Sequence, residues 1–372
     1  MNKIRVAVIF GGRSGEHEIS IRSARHVLSG FDSARYEVIP LCIARDGTWL
    51  SPPAARAALA AGAAESGEAS LAVLPGSTSG GLVPLPGKEA LEGCGRPDVV
   101  FPVLHGTYGE DGAIQGLLEM AGIPYIGAGV AGSAVGMDKA LMKSIWAAHG
   151  LPVLPFETVL RSNLEQDEVG LVDSLLESIG LPCFVKPANL GSSVGIRKAS
   201  SRDELAQALV HAALYDRKMV VEKACSRPRE LEVAMIGNDD PQVSVVGEVV
   251  HSADFYDYRT KYHDATSHSL IPAPLSPEQA AQVEVLAVRA WRALDLNGMT
   301  RVDFLMEADS GKIWLNEVNT IPGFTEISMF ARLWEASGLP FPRLLDRLVE
   351  LAFQRHQDRQ RNLVRPDVLA AG

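Results

Sequence analysis

The residues with the most chemical content lie near the carboxyl end, in Arg301-Val302-Asp303 and Glu317-Val318-Asn319. In each, one intervening residue puts the flanking side chains on the same face of a strand. If the two strands pair, Arg301, Asp303, Glu317 and Asn319 converge. One carboxylate from each strand plus an amide oxygen is an all-oxygen set, suited to Mg²⁺ with phosphates as the remaining ligands. An arginine beside them is placed to stabilise developing negative charge. The competing reading is a surface salt-bridge ladder. Against it stand the apolar neighbours Val302, Phe304, Leu305, Ile313, Trp314, Leu315 and Val318, which imply a mostly buried hairpin. Two acids buried there require a cation or close partners.

Other segments suit an anionic ligand. Lys186 ends an apolar strand, and Gly191-Ser192-Ser193-Val194-Gly195 follows, with Lys139 upstream. Such a turn presents backbone N–H groups to phosphate oxygens; alone, it is equally an ordinary β-turn. Val220-Val221-Glu222-Lys223 passes from apolar to charged. That suits the edge of an adenine slot, or merely a strand emerging into solvent. Glu16 follows the turn Gly11-Gly12-Arg13-Ser14-Gly15 at the mouth of a sheet, where open α/β folds bind ligands. Its carboxylate is either a partner for an ammonium group or a solvated first-turn acid. His105 opens a second glycine-rich loop, His105-Gly106-Thr107-Tyr108-Gly109-Glu110-Asp111-Gly112, and is either a ligand contact or incidental to the turn.

The elements that must position these groups follow from hydrophobic pattern. Ile4–Phe10 is a continuous apolar run ending at glycines and followed by a helical pattern; Val38–Ile43 and Val99–Leu104 repeat the strand signal. The first 130 or so residues read as a small open α/β sheet. The alanine-rich stretch 54–72 reads as a short exposed helix or a solvated insertion. From Met137 the texture changes: Asp138–His149 is helical, and Leu151-Pro152 and Leu154-Pro155 break it as a linker. A strand at Cys183–Pro187, a helix at Arg202–Leu214 and a strand at Met219–Lys223 make a compact α+β unit. The remainder is strand-rich, with one strand expected at Val243–Val250, a helix at Pro277–Leu294 and a hairpin closed by Asp309-Ser310-Gly311. His251–Ile271 is polar and aromatic without a clear period, and long segments of this kind serve as lids. The tail after His356 frays or adds one exposed turn.

Composition excludes several classes. The 372 residues are 47% hydrophobic and 22% charged, which rules out a mostly disordered chain. The net charge of −10 argues against nucleic acid or an anionic membrane as partner. No run reaches the roughly 18 apolar residues of a membrane helix. Met1–Val6 leads directly into a strand pattern, so no secretory signal is expected. Cys42, Cys94, Cys183 and Cys225 lack zinc or disulfide spacing and are expected as buried, reduced thiols. There is no second histidine after His17-Glu18 for a zinc helix, and no G-x-S-x-G elbow.

Taken in order, these motifs resemble the ATP-grasp superfamily and, more narrowly, the D-alanine–D-alanine ligases. The resemblance runs from about Ile4 to Leu351. It rests on GGRSGEHEIS from Gly11, HGTYGEDG from His105, MDK at Met137, VKPANLGSSVGI from Val185, VEK at Val221, FYDYRTKY from Phe255, RVDF from Arg301 and NEVNTIPGFTEIS from Asn316. It implies an amino-terminal α/β substrate-binding domain (1–137), a central ATP-grasp domain (138–228) and a carboxyl-terminal catalytic domain (229–356) with a lid at 251–271. A tail follows (357–372). It implies a cytoplasmic homodimer that joins two D-alanines with ATP and two Mg²⁺ ions, with Mn²⁺ as a substitute, for peptidoglycan synthesis. By the same resemblance Glu16 holds the first D-alanine's ammonium, with His105 beside its carboxylate. Lys139, Lys186, Ser192 and Ser193 meet the ATP phosphates. Glu222, Lys223 and the Ala224 backbone meet adenine, and Glu230 the ribose. Asp303, Glu317 and Asn319 carry the magnesium ions. Arg301 and the Gly323 N–H form the oxyanion hole. Ser328 and the Met329 backbone take the second substrate's carboxylate. Tyr262 closes the lid onto Ser192 and Glu16, and its presence favours dipeptide over D-alanine–D-lactate formation. Ala224 stands where many relatives have a larger residue, and the Ser226–Arg229 spacer loosens the alignment of Glu230. Another ATP-grasp carboxylate–amine ligase, or a non-catalytic nucleotide sensor on this fold, are the competing classes.

Overall fold

The computed structural model describes residues 3–66, 71–74, 81–84, 96–250 and 268–363. The chain opens with β1 (Ile4–Gly11), α1 (His17–Gly30), β2 (Tyr36–Ile43), β3 (Trp49–Leu50) and α2 (Pro52–Ala61). A two-stranded ribbon, β4 (Leu71–Leu74) and β5 (Gly81–Pro84), precedes β6 (Val99–Pro102) and α3 (Ala113–Met120). The first sheet has order β3-β2-β1-β6, with β1 parallel to both β2 and β6. A central parallel strand is covered on both faces, which is why β1 is buried from Val6 to Gly11 and reads as unbroken hydrophobicity. Its exit demands glycine. Gly11 and Gly12 have φ of 87° and 92°, and a Cβ on Gly11 would stand 2.3 Å from the Ile43 carbonyl oxygen.

Next come α4 (Val130–Met137) and α5 (Lys139–Ala148), the latter capped by Asp138, whose carboxylate accepts the Ala140 and Leu141 N–H groups. The expected linker is held firmly. Leu151 and Leu154 are buried, and the Pro152 and Pro155 carbonyls accept N–H groups of Leu315 and Lys223.

The second sheet comprises β7 (Phe156–Leu160), β8 (Cys183–Pro187), β9 (Arg197–Ala199) and β10 (Lys218–Lys223), antiparallel in the order β7-β10-β8-β9. α6 (Arg161–Gln166), α7 (Glu168–Ser178) and α8 (Arg202–Ala212) accompany it; Val172, Leu175, Leu205 and Leu209 pack against Val159, Val185 and Val221.

The third sheet follows β14-β13-β11-β15-β16, with β12 on β11. Its strands are β11 (Pro228–Gly237), β12 (Gln242–Val243), β13 (Gly247–Val250), β14 (His268–Leu270), β15 (Gly298–Glu307) and β16 (Ile313–Asn319). The single strand expected at Val243–Val250 is two short ones. Ser244 Oγ accepts the Ala234 N–H, taking the place of a main-chain carbonyl. Between the Met235↔Val243 and Glu232↔Gly247 pairs, β11 advances three residues and its partner four. α9 (Pro277–Ala293) starts at a capping box of Ser276 and Gln279 and packs with α5 on this sheet.

α10 (Met329–Ala336) and α11 (Phe341–Arg359) return to the first sheet. Phe324, Phe330, Leu344 and Leu348 share one core with Val6, Phe10 and Phe101, and Phe101 meets Phe324 edge-on at 5.3 Å. α11 runs three residues into the expected tail. Among the described residues no helix is long and apolar enough to cross a membrane.

Candidate active site

The hairpin of β15 and β16 forms in the register the spacing required. Arg301 lies opposite Asn319 and Asp303 opposite Glu317, with a bulge directly after Asp303. Arg301 grips Asp303 with both arms of its fork, Nε to Oδ1 and Nη2 to Oδ2, each at 2.7 Å. Its Nε also lies 3.2 Å from Glu232 Oε2, on the adjacent β11. Burial disfavours the guanidinium charge, but Asp303 and Glu232 outweigh it and hold Arg301 firmly cationic. Asn319 Nδ2 donates to Asp303 Oδ2 at 3.0 Å, which turns the amide oxygen away from that carboxylate.

The lysines approach from the other side. Lys139, at the first position of α5, donates to the Leu190 carbonyl at 2.8 Å and stands 3.3 Å from Glu317 Oε2. Lys186 donates to Glu222 Oε2 at 2.5 Å and lies 3.5 Å from Asn316 Oδ1, bridging the second and third sheets. Glu222 is 1% exposed, and its other oxygen stands 2.5 Å from Lys143 Nζ in an ion pair not aligned as a hydrogen bond. Burial alone would raise the Glu222 pKa; the two lysines reverse that and hold it below the ordinary value. Lys143 escaped the sequence reading, although its position one turn after Lys139 put it on the same helix face.

At the first-sheet end, Ser192 Oγ donates to Glu16 Oε1, joining the Gly/Ser turn to the mouth of the sheet. Ser192 and Ser193 hold φ of 52° and 57°, a left-handed conformation unfavourable for serine and sustained here by the surrounding contacts. His105 is buried, and its ring is committed on both sides. Nδ1 donates to the Ile321 carbonyl at 3.0 Å, so in the neutral ring Nε2 accepts from Ser23 Oγ, also at 3.0 Å. Complete burial lowers the His105 pKa and favours that neutral form. Ser23 Oγ in turn accepts the Phe324 N–H at 3.2 Å. Glu110, also missed from sequence, accepts the Gly106 N–H at 2.8 Å and the Ile321 N–H at 3.1 Å. Both peptide groups of Ile321, and that of Phe324, are thus clamped by the loop after β6 and by α1, and Gly323 lies between them. Ser328 Oγ accepts the Thr325 N–H at 3.0 Å; a Cβ on Gly323 would come within 2.9 Å of that hydroxyl.

These groups surround a cleft of about 1270 Å³. Glu16, His105, Ser192 and Ser193 line one end; Gly323, Ser328 and Met329 stand beside them. Lys186, Arg301, Asp303, Glu317 and Asn319 form the middle, and Glu222, Lys223 and Glu230 the far end. There Leu154, Phe184, Ile196, Leu231, Phe304 and Leu305 supply apolar walls from two sheets, the slot a flat ring requires. Lys139 and Ala224 do not line the cleft. The Ala224 N–H is taken by the Pro182 carbonyl at 3.0 Å, leaving its C=O as the polar backbone group. Cys225, expected as buried, is partly exposed and lines the same end, whereas Cys42 and Cys183 are buried. Tyr262 and most of the expected lid lie outside the described residues, as does Cys94.

Two family descriptions match the chain: D-ala D-ala ligase N-terminus over residues 5–128 and D-ala D-ala ligase C-terminus over residues 145–350. The chain belongs to the D-alanine–D-alanine ligase family. It is 47% identical over 365 residues to the D-alanine–D-alanine ligase of Heliobacterium modesticaldum, covering 97% of this chain and 98% of that protein. It is 44% identical to that of Natranaerobius thermophilus over the same shares. The solved D-alanine-D-alanine ligase from Coxiella burnetii superposes with a TM-score of 0.84 at 35% identity, over 100% of this chain and 99% of that one. VanG D-Ala:D-Ser ligase from Enterococcus faecalis gives 0.81 at 32% identity, over 94% and 100%. The family has the ATP-grasp fold, and the second and third sheets facing each other across the charged cleft are this chain's version of it.

Proposed function

We propose that this protein joins two D-alanines into D-alanyl-D-alanine with ATP, through an acyl phosphate, to supply peptidoglycan precursors. The observation that carries the reading is the in-register quartet of Arg301, Asp303, Glu317 and Asn319 in a cleft that Lys186, Glu16 and Ser192 also line.

A carboxylate is a poor acyl electrophile, and transfer of the ATP γ-phosphoryl group onto the first D-alanine makes it a good one. That transfer depends on positioning and charge neutralisation. Glu16, fixed by Ser192, receives the first D-alanine's ammonium. Lys186 in the cleft wall neutralises the phosphates, with Lys139 adding its charge from behind through Glu317 and the Gly/Ser turn beside them. The adenine lies in the apolar slot between Phe184 and Phe304, with Lys223 and the Ala224 carbonyl at its edge and Glu230 at the ribose. The second D-alanine's amine attacks the acyl carbon, and Arg301 with the Gly323 N–H stabilises the oxyanion. Ser328 and the Met329 backbone take the second carboxylate.

Asp303, Glu317 and Asn319 fit divalent cations: two carboxylates opposed across a strand pair and an amide oxygen are hard oxygen donors. Their present partners, Arg301 and Lys139, are cations, which supports this reading. Magnesium bound there would neutralise charge on the nucleotide phosphates. The divisions 1–137, 138–228 and 229–356 belong to the same proposal and are supported by one sheet of four or more strands in each. Cytoplasmic location and a homodimer rest on the family resemblance, and light scattering on the purified protein tests the dimer.

With ATP and Mg²⁺, the purified protein is expected to release phosphate when D-alanine is added. Release with L-alanine but not D-alanine would overturn the assignment. Competition among D-alanine, D-serine and D-lactate fixes the second substrate.

A further inference from the structure

Lys143 is 0% exposed, and it does not line the cleft. Its ammonium faces Glu222 Oε1, while Lys186 holds Glu222 Oε2, both at 2.5 Å. Two ammonium groups therefore share one carboxylate, and only Lys186 and Glu222 reach the cleft wall. Burial pushes the Lys143 pKa below its ordinary value, so the site tolerates this cation only because Glu222 compensates it. A methionine of similar length would fill the same space without that burden. The charge count supplies the reason for a lysine. With Lys143 present the trio carries +1, delivered to the cleft through Lys186. Without it, one carboxylate would face one ammonium, and a neutral pair would meet the ligand. Lys143 also fixes the carboxylate's direction, so that Lys186 stays between Glu222 and Asn316.

We propose that Lys143 is a positioning residue: by sharing Glu222 it keeps Lys186 oriented and net cationic toward the nucleotide phosphates. This rests on the reading of the cleft as an ATP site and adds a part that touches no ligand. The effect acts on phosphate through the charge on Lys186; Glu222 itself also lines the adenine end, so adenosine serves as the reference ligand.

The test compares wild type, Lys143→Met and the double variant Lys143→Met/Glu222→Gln, in which the +1 on Lys186 is restored. Titration calorimetry gives Kd for ADP and for adenosine, steady-state kinetics gives KM for ATP and D-alanine, and circular dichroism checks folding. Lys143→Met is expected to raise the ADP Kd and the ATP KM by about tenfold. Adenosine affinity and the D-alanine KM should change by less than about twofold, within ordinary scatter between mutants. The double variant should recover most of the ratio of ADP to adenosine affinity, which cancels any effect of Glu222→Gln at the adenine end. A folded Lys143→Met protein with wild-type ADP affinity overturns the proposal, as does a loss the double variant does not repair. Should Lys143→Met fail to fold, the double variant decides alone: a near wild-type ratio of ADP to adenosine affinity supports the charge count, and a tenfold loss in that ratio, about 1.4 kcal/mol, refutes it. A wild-type protein that binds no ADP overturns both this inference and the reading of the cleft beneath it.

Discussion

The two ends of the cleft hold their polar groups by different means. At the end proposed for D-alanine, Ser23, His105 and Glu110 grip main-chain atoms of residues 321–324, so the framework is a neutral imidazole, a hydroxyl, a buried carboxyl and peptide groups. From the middle of the cleft to the end proposed for the nucleotide, Lys139 faces Glu317, Lys143 and Lys186 share Glu222, and Arg301 grips Asp303, largely side chain to side chain. The difference fits the ligands proposed for the two ends. A small chiral amino acid is selected by fixed directions, which peptide groups supply. A polyphosphate is a concentration of charge, and buried ion pairs answer it most strongly where water is excluded. Disruption of the first end should misplace atoms; disruption of the second should change charge.

The largest effect is expected at the nucleotide end. Glu317→Gln keeps the shape and removes the carboxylate opposite Asp303, so turnover should fall by about 10³-fold or more, the scale of several kcal/mol of lost charge stabilisation. The melting temperature should hardly move, and a collapse of folding would make the hairpin a structural salt-bridge ladder. Arg301→Lys keeps the charge and loses the fork. A fall in kcat of about 10²–10³-fold is expected for a lost oxyanion donor, and near-normal kcat would remove Arg301 from that role.

The D-alanine end is probed by pH. Burial first, and then the charge of Glu16, push the Glu110 carboxyl from 4.5 up to about 8. The folded protein therefore keeps a proton that the unfolded chain releases, and this group's contribution makes stability fall as pH rises from about 4.5 to about 8. Glu110→Gln should flatten the melting temperature against pH in that window. An unchanged slope would mean that the carboxyl ionises freely in the fold. The smallest effect is expected outside the cleft. Tyr36 donates to Asp346 Oδ1 at 2.8 Å, linking β2 to α11; Tyr36→Phe should cost about 1 kcal/mol in denaturant unfolding and leave kcat unchanged.

The two ends also differ in how far the sequence revealed them. The hairpin quartet was legible because strand alternation and antiparallel register are local rules, and four residues in two triplets satisfied both. The strand-to-helix turn at Gly11-Gly12 and the helix that follows Met137 were readable for the same reason. Glu110, Ser23 and Lys143 were not, because each acquires its partner only when separate segments pack: Glu110 and Ser23 reach the 321–324 segment, and Lys143 reaches β10. Glu222 shows the same limit. Its place at the end of an apolar strand suggested an adenine contact, while its oxygens are engaged by two lysines that the strand pattern does not mention. Val243–Val250 looked like one strand because the Ser244 hydroxyl is polar in the sequence and acts as backbone in the fold.

The central claim is that the charged hairpin activates one D-alanine for attack by another. Its most direct test is the stoichiometry of D-alanyl-D-alanine to ADP in wild type and Glu317→Gln, measured together with ADP release in the absence of D-alanine. One dipeptide per ADP in wild type, and neither product from a folded Glu317→Gln protein, is the expected result. ADP formed without dipeptide, or full dipeptide synthesis by Glu317→Gln, would contradict the account.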